Sequence, residues 1–409
     1  MKPLRARPNL LMAHYLYDLP NNRIAERPLP ERDAANLLLA DVTRESIHHR
    51  TVRDLADILP AHSLLVVNRS RVVAARLMFT KETGGAVEIL LLRPTAPSTD
   101  PAVVLASDQP SEWECLVGGK NVMPGMLLQH QTGAMTATVL ERSGTEGVVR
   151  LEWTTPESLS KLLDRCGHVP LPPYIKRADD TEDQHRYQTI FARDEGSVAA
   201  PTAGLHFTPR LVEALTARGV AKAEVTLHVG LGTFQPVEAT TAAEHTMHAE
   251  RIEVGRDELQ AIIEHLQQES PFVTVVGTTS LRTLESLYWF GCGLIEGSDP
   301  DDVVIDQWSA FELEPHPRYE ALVAVAAWMD RRGLQRMWGE THLMLAPGAH
   351  LGVVDALMTN FHQPGNTLLL LVAAIAGDPF WREIYTSALE NNYRFLSYGD
   401  SSFIVRTPI

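Results

Sequence analysis

Histidine has an ordinary pKa of about 6.5, so it can take and give a proton near neutral pH. Of the 16 histidines in this 409-residue chain, four stand in polar motifs at the ends of predicted elements: His206, His228, His248 and His362. Glu250 and Asp400 are the carboxylates in comparable places. Such groups could serve as general bases or acids. His206 and His228 are the first candidates; His248, Glu250 and Asp400 are the second. A structural or surface role is the commoner fate of a lone histidine. One spacing, His245-x-x-His248-x-Glu250, could set two imidazoles on one helical face and so admits a metal-dependent hydrolase. It lacks a glutamate directly after the first histidine, and Ile252-Glu253-Val254 does not enforce a helix.

The elements that must hold these groups are clearest between Gly167 and Pro236. Thr208 is a helix N-cap, Pro209 fits the first helical position, and Gly219 follows the apolar turn of Leu211, Val212 and Leu215. Val220 to Val229 alternates as a strand, with Val225, Leu227 and Val229 on one side. His206 thus precedes a helix and His228 lies near the end of a strand, where α/β proteins gather their chemistry. Thr202, Gly204 and Gly230 permit close approach of backbone to a ligand. Phe207, Phe234 and Tyr398 could stack on a base or face a cation, or simply fill a core. Phe272 to Val276 reads as a strand running into Gly277-Thr278-Thr279-Ser280 and a helix carrying Leu281, Leu284 and Leu287. Free backbone N–H groups at such a start can hold an anion; a plain capped helix is the bland alternative. Arg76 and Arg282 could hold a phosphate or carboxylate, although ion pairing is the usual use of arginine.

The fold expected is an α/β body with a mixed sheet plus an inserted small antiparallel β-barrel. Between Val72 and Trp153 five short β-rich runs recur, divided by Thr83-Gly84-Gly85, Gly118-Gly119-Lys120-Asn121, Pro124-Gly125 and Ser143-Gly144. The barrel is therefore assigned to 73–163, inside a discontinuous body of 1–72 and 164–409. Pro94 to Pro110 reads as a polar loop. In the body, helices are expected at Arg256–Gln268, Pro317–Arg332 and Thr367–Ala376, the last capped by Asn366 and ended by Gly377. Residues 287–346 form an acidic insert, with ten acidic and four basic residues between Glu296 and Glu340.

With 44% hydrophobic and 21% charged residues, the chain can bury two cores. Its three cysteines have no metal or redox spacing, which suits a reducing, cytoplasmic setting. Met1 to Leu11 lacks the apolar core of a signal peptide, and the Thr367–Ala376 run is too short to span a bilayer, so no membrane partner is expected. The net charge of −15 disfavours indiscriminate nucleic-acid binding. However, the first 76 residues hold 12 Lys and Arg against 8 Asp and Glu, while the rest hold 24 against 43. An RNA-facing surface could therefore centre on Arg69, Arg71 and Arg76; a mixed solvated face would leave the same charge pattern.

Several motifs run in order along nearly the whole chain. They are Tyr17-Asp18-Leu19-Pro20, Arg71-Val72 with Ala75-Arg76-Leu77, Gly167 to Ile175 and Ala199 to Phe207. Further on come Thr226 to Pro236, His245 to Glu250, Val276 to Ser280, Thr359-Asn360-Phe361-His362 and Tyr393 to Asp400. This set closely resembles the S-adenosylmethionine:tRNA ribosyltransferase-isomerases of queuosine biosynthesis, in a form with a long insert near 287–346. The chain departs from the family pattern at Asn68-Arg69-Ser70, Ala75, Gln363 and Ser401-Ser402.

The resemblance implies an enzyme with two substrates. One is S-adenosylmethionine, used as ribosyl donor; the other is a tRNA bearing 7-aminomethyl-7-deazaguanine at the wobble position. It implies an epoxycyclopentanediol product base, with adenine and methionine leaving, and neither a prosthetic group nor a metal. Donor contacts are expected at Thr202, Gly204, Phe207, Gly230, Thr233, Gln235, Thr278, Thr279 and Ser280, with the methionine carboxylate at the helix start of Thr279-Ser280. Arg282, Asn360, His362 and Tyr398 are further motif residues. A cytoplasmic monomer is expected. Rival readings are the metal hydrolase above, a noncatalytic RNA-binding protein using the barrel, and a Rossmann methyltransferase. The last fails its fingerprint, because Gln235 stands where Gly230-x-Gly232 needs a third glycine.

Overall fold

The computed structural model describes Arg7, residues 9–230 and residues 237–407. Its strands are β1 (Asn36–Asp41), β2 (Ser46–Thr51), β3 (Leu64–Asn68), β4 (Ser70–Val72), β5 (Arg76–Lys81) and β6 (Ala86–Ala96). There follow β7 (Ser111–Val117), β8 (Leu127–His130), β9 (Thr136–Ser143), β10 (Glu146–Glu152), β11 (Asp194–Ser197) and β12 (Ala221–His228). The last are β13 (Glu250–Gly255), β14 (Val273–Val276), β15 (Val304–Ile305), β16 (Arg336–Thr341), β17 (Ala356–Asn360) and β18 (Ser401–Val405). The helices are α1 (Leu55–Ile58), α2 (Pro101–Ala106), α3 (Leu159–Cys166), α4 (Asp183–Arg186), α5 (Pro209–Ala217) and α6 (Arg256–Leu266). They continue with α7 (Gly277–Ile295), α8 (Ser309–Glu312), α9 (Arg318–Arg331), α10 (Thr367–Ala376) and α11 (Phe380–Glu390).

A ten-stranded mixed sheet forms the body, in the order β15-β16-β13-β12-β3-β14-β17-β18-β1-β2. Every residue of β3, β14, β17 and β18 is buried, as a sheet covered on both faces requires. The larger core holds the apolar residues of α6, α7, α9, α10 and α11. A smaller one, with Leu55, Phe207, Leu211, Leu215 and Phe403, serves α1 and α5. Strands β12, β3, β14 and β17 are mutually parallel, so their carboxyl ends share one edge of the sheet. Strands β13 and β18 run antiparallel to their neighbours β12 and β17, and their amino ends meet the same edge. That edge therefore gathers Val229, Gly277, Asn360, Glu250 and the approach to Ser401.

Helix α7 is buried along most of its 19 residues and is pinned to the chain before β17. The fully buried Glu285 carboxylate accepts the backbone N–H groups of Gly352, Val353 and Val354 at 2.7, 3.0 and 3.2 Å. Burial raises the pKa of Glu285, and these three donors oppose the rise.

Strands β5 to β10 close into an antiparallel barrel, ordered β10-β7-β6-β5-β8-β9. In β7 the buried residues alternate, so Trp113, Cys115 and Val117 point inward. Leu159, Leu162 and Leu163 of α3 join the barrel core. Two expectations need correction. A sixth strand, β8, lies between the Pro124-Gly125 turn and the next run; with only four residues and two of them exposed, it had little apolar signal. The Pro94–Pro110 segment is not all loop, because β6 continues to Ala96 and α2 follows. Asp100 caps α2 by accepting from Ala102 N, Pro101 opens it, and Val104 and Leu105 are buried.

The chain enters and leaves the barrel side by side. Arg76 N donates to His168 O at 3.3 Å and His168 N to Arg76 O at 2.8 Å. Residues 287–346 are built into the body: α7 crosses Leu287 without a break, β15 and β16 extend the large sheet, and Leu322, Val325, Trp328 and Met329 of α9 are in its core.

Candidate active site

A cleft of about 580 Å³, counted with its open mouth, lies at the gathered edge of the sheet. It is walled by Thr202, Thr278, Thr279, Asn360, His362 and Ser397, among others. This is where open α/β sheets place ligands, since loops leaving several parallel strands converge there. The turn after β14 bends at Gly277, whose φ of +86° suits glycine, and α7 begins at once. Its N-cap residue, Val276, makes no side-chain capping hydrogen bond among the described residues. Its first N–H groups have no intrahelical partner, and Thr279 Oγ1, buried, has no hydrogen-bond partner among the described residues.

Opposite α7, Asn360 at the end of β17 accepts a hydrogen bond from Thr202 Oγ1 at 2.8 Å. Its amide nitrogen is 3.3 Å from His206 Nε2 and 3.4 Å from Asp400 O. Asn360 Nδ2 is a donor, so His206 Nε2 accepts, and His206 Nδ1–H donates to Arg32 O at 3.3 Å. Burial lowers the His206 pKa to about 4, which keeps the ring neutral at pH 7. His206 does not line the main cleft. It borders a smaller cavity with Arg32, Arg394 and Tyr398, one residue behind Asn360.

His362, also pushed down, to about 3 by burial, is the motif histidine that does line the cleft. Its Nε2 is 3.0 Å from Thr359 Oγ1, and its backbone N donates to Tyr385 Oη at 3.1 Å. His228 ends β12, and burial lowers its pKa to about 4; its buried Nδ1 has no partner among the described residues. It borders neither the cleft nor the smaller cavity beside it, and its ring is among the nearest atoms a side chain at Gly196 would meet.

Several expected contacts fall elsewhere. Phe207 is fully buried 5.3 Å from Phe191 and so cannot stack on a ligand. Ser280 Oγ donates to Val276 O at the end of β14. At Gly204 a Cβ would stand 3.0 Å from Thr189 Cγ2, a tight contact that Thr189 would have to relieve. Tyr398 Oη donates to Asp183 at 2.9 Å. Asp400 is a structural acceptor: it takes Asn36 N, Asn36 Nδ2 and Arg394 N at 3.0, 3.1 and 2.8 Å. At Gly230 a Cβ would meet nothing among the described residues. Thr233, Phe234 and Gln235 lie outside the described residues.

Beside the cleft, and sharing Leu368 with it, is a second cavity bordered by His245, His248, Glu250 and Arg282. The His245–Glu250 segment is not helical: it passes from a short 3-10 turn into β13. The metal-site spacing therefore loses the face on which it depended. Glu250 instead pairs with Arg282.

The three arginines proposed for RNA are all paired. Arg69 is largely buried and meets Asp194 at 2.7 Å and Glu258 at 3.4 Å. Arg71 meets Glu195 at 3.0 Å and Arg76 meets Glu88 at 2.9 Å, both at partly exposed positions. Cleft residues that sequence reasoning passed over are Tyr174, Thr359 and Ser397; each falls within a motif already noted, which was the available signal. Leu343, Met344 and Leu345, on the second cavity, follow β16 in the region read as an insert and gave no signal.

A family model described as a queuosine biosynthesis protein matches residues 12–404. The chain is 41% identical over 396 residues to an S-adenosylmethionine:tRNA ribosyltransferase-isomerase of Pelobacter propionicus, covering 97% of this chain and 100% of that one. It is 38% identical over 395 residues to the protein of the same name from Citrifermentans bemidjiense, with the same coverage. A crystal structure of an S-adenosylmethionine tRNA ribosyltransferase from Thermotoga maritima is 28% identical, covers 96% of this chain and 99% of its own, and superposes with a TM-score of 0.46.

Proposed function

The chain belongs to the queuosine biosynthesis family, whose matched relatives are transferase-isomerases, and from this we infer the reaction it performs. It transfers and isomerises the ribosyl group of S-adenosylmethionine onto 7-aminomethyl-7-deazaguanine at the wobble position of a tRNA. The product is the epoxycyclopentanediol-bearing base of epoxyqueuosine, and adenine and methionine are released. The work is that of a cytoplasmic enzyme. Among the described residues no helix is long and apolar enough to cross a membrane.

Family membership carries this reading, and the site supports it: the start of α7, with no side-chain cap among the described residues, faces a cleft whose described lining bears hydroxyls, amides and a neutral imidazole but no carboxylate, lysine or arginine. Such a lining suits an uncharged adenosine. In the reaction the sulfonium acidifies the adjoining ribosyl C5′ protons, and adenine leaves with developing negative charge. Preformed N–H donors at a helix start stabilise such charge without reorganising. Thr279 Oγ1 adds a donor, and Thr202 and Asn360 are fixed to hold hydroxyls.

His362 is the imidazole proposed to meet the ribose, as acceptor of a proton or hydrogen bond. Its neutral state above about pH 4 keeps positive charge away from the sulfonium. His206 is a positioning residue that fixes Asn360. The tRNA is proposed to reach the cleft across the surface bearing Arg71 and Arg76.

The test is incubation with S-adenosylmethionine and precursor tRNA, following free adenine and free methionine. Equimolar release that depends on the tRNA is expected. Absence of release with correctly modified precursor would remove the reading.

A further inference from the structure

Arg282 sits on the second turn of α7, and its guanidinium is nine-tenths buried or more. Nη1 pairs with Glu250 at the start of β13. Nε and Nη2, both buried, meet no acceptor among the described residues. These two N–H groups lie on one edge of the guanidinium, the fork that accepts a carboxylate through two parallel hydrogen bonds. Arg282 borders a cavity of about 460 Å³, counted with its open mouth, whose other walls include His245, His248, Met247, Leu343, Leu345 and Leu371. A buried cation with two unused donors beside a partly apolar wall is costly to maintain as a purely structural feature.

We propose that this cavity takes the α-amino-acid end of the ribosyl donor, with the carboxylate on Arg282 Nε and Nη2. The inference rests on the reading that the adjoining cleft holds the adenosyl part. The ammonium group would lie in the field of Glu250, and the methylenes against Leu343 and Leu371. A zwitterion matches a buried Arg–Glu pair, whereas an RNA phosphate would bring only negative charge toward Glu250 and would waste the apolar walls. Geometry joins the two chambers. They share Leu368, and Thr278 and Arg282 are four residues apart on α7, about 6 Å of helix rise. A three-carbon arm leaving the sulfonium crosses that gap. The assignment moves the carboxylate away from the Thr279-Ser280 helix start: Arg282 offers a full charge and a two-point fork there, while the helix start offers only a partial charge. It leaves that start free for the adenine or ribose.

The test is calorimetric affinity of the full chain for S-adenosylmethionine, for its decarboxylated analogue and for methylthioadenosine, which lacks the amino-acid arm. Wild type should bind S-adenosylmethionine roughly 10- to 100-fold more tightly than the decarboxylated analogue, the range expected of a charged hydrogen-bond pair. In Arg282→Gln that preference should fall to about one, with affinity for methylthioadenosine kept. Equal wild-type affinity for the two sulfonium compounds would overturn the proposal without any variant, so a misfolded Arg282→Gln could not protect it. Equal weakening of all three ligands by the substitution would also overturn it, since that is the signature of structural damage. If wild type binds none of the three, the reading of the adenosyl cleft itself fails, a result distinct from failure of the carboxylate site.

Discussion

Replacing His206 by Gln separates a positioning histidine from a catalytic one. Burial holds the folded pKa of His206 at about 4, against an ordinary value of 6.5 in the unfolded chain. As pH falls through 6.5 the unfolded state takes the proton first, so stability is lost between about pH 6.5 and 4 and is level below that. At pH 5 the loss from this group is about 2 kcal/mol, from 1.36 kcal/mol per unit of pKa difference. At pH 8 the substitution removes the bonds to Arg32 O and from Asn360, at about 0.5–1.5 kcal/mol each, so His206→Gln should be about 1–3 kcal/mol less stable than wild type. At pH 5 that deficit should shrink by about 2 kcal/mol. Urea unfolding of both proteins at the two pH values measures this, and other buried histidines cancel in the comparison. Identical pH dependence in wild type and variant would refute the buried, neutral assignment. A variant of near-normal stability at pH 8 whose turnover falls 100-fold or more would return His206 to the role of base.

His362→Ala should lower single-turnover product formation about 100-fold or more with donor affinity nearly intact, and near-normal turnover would exclude its contact with the reacting ribose. Neutralising Arg71 and Arg76 should flatten the log–log salt dependence of tRNA binding by roughly 0.7–0.9 for each phosphate that no longer meets a cation; an unchanged slope places the RNA elsewhere. Arg69, held by Asp194 and Glu258, should instead show its loss in thermal stability, on the order of a few kcal/mol. Gly167→Ala would set a Cβ 1.9 Å from Ala74 O where the chain enters and leaves the barrel. We expect a loss of about 1–3 kcal/mol or more in a denaturation curve, and a neutral result would mean that this junction yields easily.

Local patterns that report burial were the easiest to read. The Thr208 cap, the Leu259–Ile262–Ile263–Leu266 stripe and the Asn366 cap each describe an element that the structure contains. The barrel's inward alternation was readable for the same reason. Strand β8 was not, because four residues with two exposed carry almost no period. The integration of residues 287–346 was hidden too, since an acidic surface with Asp299 and Asp330 paired to arginines says nothing about Trp328 and Met329 beneath it.

For the site, motif membership marked the right neighbourhood but not the direction of each side chain. Thr202, Thr278, Thr279, Asn360 and His362 do converge. Phe207, Ser280, Tyr398 and Asp400 share the same motifs yet turn into the core or into hydrogen-bond networks. A helix start or strand end exposes only some of its residues, and which ones depends on the partners across the sheet edge. Those partners lie far apart in sequence, as with His206 and Asn360.

Transfer of the ribosyl carbons can be followed by dual labelling. S-adenosylmethionine labelled separately in the ribosyl carbons and in the methyl group is incubated with the full chain and precursor tRNA, and the digested nucleosides are weighed by mass spectrometry. Ribosyl label is expected in the modified nucleoside, with none from the methyl group, and one adenine and one methionine should be released for each nucleoside formed. Methyl label in the tRNA, or ribosyl label that stays in small molecules while methionine is released, would contradict that transfer.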